Sequence, residues 1–113
     1  MKAGLPTARA HEATVHVSPD LACLEGHFPG LSVVPGFVQI GWVMDAARAL
    51  TGGRADVAHV ETLKFKMLLR PGTVVRVRVD LAEDGHVLTF RLWTDEGTVS
   101  TGRCRLRLGV PAG

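Results

Sequence analysis

Gly26-His27-Phe28-Pro29-Gly30 sets one histidine in a bend held by glycine and proline, and Pro35-Gly36 follows after four intervening residues. The apolar run Phe37 to Leu50 comes next. An imidazole titrates near neutrality, so it takes or gives a proton at cellular pH. The first N–H groups of a helix have no partner within it, and the helix dipole adds partial positive charge there. Glycine at position 36 lets another molecule approach the backbone closely. A proton-transfer group facing a helix mouth is therefore a chemical arrangement. The plainer reading of His27 is a loop histidine that caps a turn.

The elements that position these residues read from the periodicity. Ala10 to Val17 alternates as a half-buried strand, with Ala13, Val15 and Val17 on one face and Glu12, Thr14 and His16 on the other. Leu21 to Leu24 reads as a short strand or a helical turn. A helix starts near Pro35 or Gly36, where proline is tolerated because its missing N–H would be unpaired anyway. Phe37, Val38, Ile40, Trp42, Val43 and Met44 leave almost no polar stripe, which predicts a buried helix. Thr51-Gly52-Gly53 ends it.

Strands follow over Val57 to Leu69, Thr73 to Leu81, His86 to Thr94 and Thr98 to Leu108, with hairpin turns at Glu83-Asp84-Gly85 and Asp95-Glu96-Gly97. One buried helix with a run of antiparallel strands predicts an α+β fold in which the sheet wraps around the helix. A single sheet covers only part of such a helix, so a second copy is expected to complete the core. The reading is one domain over residues 1–113, with 1–9 and 109–113 as loose termini.

A net charge of +2, with basic residues alternating along strands, argues against nucleic acid as a partner. No apolar run reaches the roughly 18 residues of a membrane span. Met1 to Pro6 lacks the apolar core of a secretion signal, so the expected location is the cytoplasm, with Cys23 and Cys104 reduced and buried. The five histidines show no zinc-like spacing, so neither metal nor cofactor is expected.

The His27-Phe28-Pro29-Gly30 and Pro35-Gly36 motifs, the apolar helix and the segment Leu63-Lys64-Phe65-Lys66-Met67-Leu68-Leu69-Arg70-Pro71-Gly72 resemble the 3-hydroxyacyl-ACP dehydratase family of the hot-dog fold. The helix sequence Gln39-Ile40-Gly41-Trp42-Val43-Met44 is similar to the dehydratase-like subfamily of aryl polyene and related pigment pathways. The resemblance spans roughly residues 10 to 108. It implies a thioester substrate on acyl carrier protein or coenzyme A, with His27 as base and the Gly36 amide as oxyanion donor. A well-placed donor of that kind is worth about 3–4 kcal/mol. Substrate contacts are expected at Phe28, Pro35, Phe37, Gln39 and Gly41, and the assembly is expected to be a homodimer or larger, or a hetero-oligomer with a homologous subunit. Phe37 and Trp42 read as core or as lining of an acyl tunnel, and Gln39 as a substrate contact or a backbone-bonded structural residue. Lys64, Lys66 and Arg70 read as solvated charges or as an attraction for an acidic carrier.

One departure matters. The family's acidic residue falls fourteen positions after the histidine, and that position is Gly41. Asp45, one turn on and near the same helical face, either acts as the acid or pairs with Arg48. Otherwise a homologous subunit supplies the acid, or the chain binds acyl groups without dehydrating them, or it catalyses another thioester reaction such as hydrolysis. Dehydration with His27 and an ordered water as proton donor completes the alternatives.

Overall fold

The computed structural model describes residues 7–18, 34 and 36–108. Among these residues five strands and one helix follow the order β1 (Thr7–His16), α1 (Gly36–Thr51), β2 (Ala55–Phe65), β3 (Val74–Ala82), β4 (Val87–Thr94) and β5 (Gly97–Leu108). The strands form one sheet of order β1-β3-β4-β5-β2, and every pairing is antiparallel. Helix α1 packs against β1, β2 and β3. A single antiparallel sheet curved around one helix is the hot-dog arrangement.

The alternation explains the layers. Val75, Val77 and Val79 of β3 are fully buried, while Arg76 and Arg78 between them face solvent. Leu88, Phe90 and Leu92 of β4 continue the inner face. Burying each such side chain contributes roughly 1.5–3 kcal/mol. Both hairpins stand where the sequence places them, with Gly85 and Gly97 at positive φ. β1 begins three residues earlier than the alternation suggests, because Thr7 to Ala10 still pair with β3.

Two expectations need correction. The helix is not buried on all sides of the single chain. Phe37, Gly41, Asp45 and Arg48 fall on one exposed stripe at helical spacing, while Val43, Ala46 and Ala47 are buried. The sheet covers one side of α1, and apolar composition cannot say which side lacks a cover. Phe37 is accordingly no core residue, being 66% exposed, whereas Trp42 packs against the core. The second correction concerns β2, which ends at Phe65 instead of running to Leu69. From there the backbone N–H groups of Lys66 and Met67 turn to the carbonyl of Val99.

Helix α1 ends as the glycines predict. Gly52 and Gly53 adopt positive φ, and the Gly53 N–H donates to the Arg48 carbonyl. Thr51 Oγ1 donates to the Ala47 carbonyl and accepts from the Ala55 N–H, tying the helix end to β2.

Candidate active site

The site is built around the start of α1. His27, Phe28 and Pro35 lie outside the described residues, as does Cys23. The described part begins with Val34, whose N–H donates to the Leu69 carbonyl at 2.7 Å. Gly36 opens the helix, and no acidic side chain occupies its first turn. The only basic residue in the last turn is Arg48, at the end where a cation suits the dipole. The first turn thus keeps the partial positive charge of the helix dipole with no carboxylate of its own beside it.

Gly36 is glycine for a packing reason. A Cβ built there would stand 2.6 Å from Cζ of Phe65, closer than side chains tolerate. The ring of Phe65 therefore lies directly on the backbone at the helix start, yet it is 51% exposed. Lys64 and Lys66 flank it in sequence and are exposed, as is Arg70. Phe37, Leu63 and Leu68 add further exposed apolar surface to the same helix and to the segment at the end of β2.

Gln39 points inward. Its side chain is buried, with Nε2 donating to the Val34 carbonyl at 3.4 Å and Oε1 accepting from Ser100 Oγ at 2.9 Å. Of the two readings from sequence, the backbone-bonded structural one matches this geometry. Gly41 is exposed, and a Cβ built there would meet nothing within 4 Å. No packing within the described residues demands glycine at that position. Asp45 lies one turn further along the same stripe, about 6 Å along the axis. Its carboxylate is 3.7 Å from Arg48, and both side chains are largely in water. Such a pair contributes little to stability.

Two residues of this arrangement were not singled out in the sequence. Ser100 carries a signal in retrospect: a hydroxyl at an inward position of β5 needs a partner, as does Gln39 in an apolar helix. Phe65 stands in the sequence only as part of the Leu63 to Gly72 segment, and its contact with Gly36 is not readable there because it depends on how β2 ends. Cys104 is a free, buried thiol, and burial pushes it up to about 11. Among the described residues no group of three or more histidine, cysteine or carboxylate side chains could hold a metal.

Residues 5–103 match the model of the ApeI-like family, described as ApeI dehydratase. The chain belongs to the ApeI-like dehydratase family. It is 30% identical over 106 residues to the 3-hydroxyacyl-[acyl-carrier-protein] dehydratase FabZ of Lactiplantibacillus plantarum, covering 88% of this chain and 65% of that protein. The FabZ of Pediococcus pentosaceus is 30% identical over 95 residues, which cover 74% of this chain and 64% of that one. The chain thus spans less than two thirds of the length of both relatives. Among solved structures, a chain of the dehydratase heterocomplex ApeI:P from Xenorhabdus doucetiae superposes with a TM-score of 0.76 at 32% identity, covering 92% of this chain and 98% of that one.

Proposed function

We propose that this chain forms a dehydratase site for 3-hydroxyacyl thioesters, with His27 as the base and the Gly36 amide as the oxyanion donor. The observation that carries the reading is the helix that opens at Gly36 with no acid in its first turn, in a chain of the ApeI-like family. A carboxylate there would repel a developing enolate oxygen. In the reaction His27 takes the proton from C2 of the acyl group. The electron pair moves onto the thioester oxygen, held by the N–H at the helix mouth. As the carbonyl re-forms, the C3 hydroxyl leaves with a proton from an acid, giving the 2-enoyl thioester and one water.

The source of that proton is the open step, because Gly41 stands where the family's acid would be. Asp45 or a water beside it is one donor. A homologous hot-dog subunit is the other, and the open helix stripe at Gly41 favours it. β2 is also an edge strand, and Val60, Leu63 and Phe65 on it are exposed. Apolar surface of that kind marks an interface. A like subunit, a second copy or a homologue, covers it in this reading. Light scattering that finds only monomers, alone and with a homologous subunit, removes that part.

The substrate is a carrier-bound or coenzyme A thioester, which places the protein in the cytoplasm. Lys64, Lys66 and Arg70 have no ion-pair partner among the described residues and suit an acidic carrier. The test is to incubate the purified protein with a 3-hydroxyacyl thioester, alone and with a carboxylate-bearing homologous subunit. The expected product is the enoyl thioester without free thiol. Thiol release would make it a thioesterase, and no product in either mixture would leave it a binding subunit.

A further inference from the structure

We infer that Gln39 and Ser100 are positioning residues that fix the helix mouth for the acyl oxygen, an inference that rests on the thioester reading above. The case is a closed circuit of contacts. Ser100, 1% exposed, donates to Gln39 Oε1 at 2.9 Å. Gln39, 3% exposed, donates in turn to the Val34 carbonyl. Val34 is two residues before Gly36, and its N–H is already held by Leu69. Phe65, directly opposite Ser100 in the β2–β5 register, returns to Gly36 through its ring.

Both polar atoms of the residue entering the helix are therefore tied down, one to the segment after β2 and one through Gln39 to the centre of the sheet. Gln39 lies in the first turn that Gly36 opens, and its side chain ties that turn to the Val34 carbonyl before it and to Ser100 on β5, so the set of the helix start, and with it the Gly36 N–H, follows from the Gln39 bonds. Burying an amide and a hydroxyl is costly unless both are paired. Leucine and alanine would fill these places more cheaply if packing were the only requirement. Among the described residues no charged side chain contributes to the circuit. Lys64 and Arg91, on either side of Thr101 one step along the ladders, are exposed, and Asp45 and Arg48 lie on the open stripe.

The test uses Gln39→Glu, Gln39→Leu and Ser100→Ala in the whole protein. In Gln39→Glu the neutral carboxyl copies the amide it replaces, since its O–H donates to Val34 and its C=O accepts from Ser100. The ionised form has no donor and repels the Val34 carbonyl. Burial favours the neutral form, so its ionisation is displaced upward. In this variant the amide NMR resonance of Gly36 should follow one titration that the wild type lacks, and enoyl formation should fall over the same pH range. Gln39→Leu and Ser100→Ala should lower kcat about tenfold or more with KM little changed. Their combined effect should be smaller than the product of the two.

A Gly36 resonance that neither titrates in Gln39→Glu nor moves in the other two variants overturns the inference. Should that resonance respond while no form dehydrates a thioester, the positioning role stands and the dehydratase reading falls. The reverse pattern, a wild type that dehydrates and variants that match it in kcat, keeps the dehydratase reading and removes the positioning role.

Discussion

Gly41→Glu is the substitution that probes the missing acid most sharply. A Cβ at this position meets nothing within 4 Å, and the position lies on the exposed stripe of the helix, so a side chain starts there without a clash inside the chain. Glycine inside a helix costs about 1 kcal/mol relative to alanine, and glutamate lies near the alanine end of the scale. The variant should therefore gain roughly 0.5–1 kcal/mol, a rise in Tm of about 2–4 °C for a domain of this size. If the helix stripe faces the acyl group, the new carboxyl also supplies the proton for the leaving hydroxyl. A positioned acid contributes about 10²–10⁴ in rate. Enoyl formation followed by absorbance, beside thermal melts of the same samples, measures both effects. Gly41→Gln is the control, because it adds the same bulk without an acidic proton. A folded, stabilised Gly41→Glu that turns over no faster than Gly41→Gln would refute the reasoning that this stripe faces the reacting hydroxyl.

Gly36→Ala should do the opposite. Its methyl group would press on the Phe65 ring, and the half-exposed ring and the helix start share the displacement, so the stability loss should be about 1 kcal/mol. Activity should fall much further, by about 10²-fold, because the oxyanion donor loses its place; equal kinetics in the variant would exclude Gly36. Lys64→Glu with Lys66→Glu should raise KM for a carrier-bound substrate at low salt while leaving a short, uncharged thioester unaffected. Identical KM shifts for both substrates would remove the carrier role. Cys104, held up to about 11 against an ordinary 9.0, stays protonated in the fold while the unfolded thiol ionises. Between those values the unfolded chain binds fewer protons, so stability should fall as pH rises through that window and stay level below it. Denaturant melts of Cys104→Val should lack this decline, and a decline equal to that of the wild type would place its origin elsewhere.

Much of this arrangement is legible from the order of residues. The valines of β3 alternate with arginines so regularly that the buried face needs no structure to find it. The glycines after Thr51 end the helix by the conformations only glycine adopts easily. The helix run is less informative. Phe37 is as apolar as Val43, and only the curvature of the sheet decides that one is buried and the other open. Gln39 is visible as an oddity in an apolar run, but its partner lies 61 residues away on β5. Phe65 takes its role from the point where β2 leaves the sheet, set by hydrogen bonds from Lys66 and Met67 to Val99. His27 stands out by motif alone and lies outside the described residues, as do Phe28 and Pro35.

The most direct measurement compares wild-type protein with His27→Ala, each with its full complement of subunits, on one 3-hydroxyacyl thioester. Enoyl product should form with the wild type and drop by at least about 10²-fold with the variant, while binding of the thioester changes little. Equal enoyl formation by both proteins would contradict the assignment of His27 as the base.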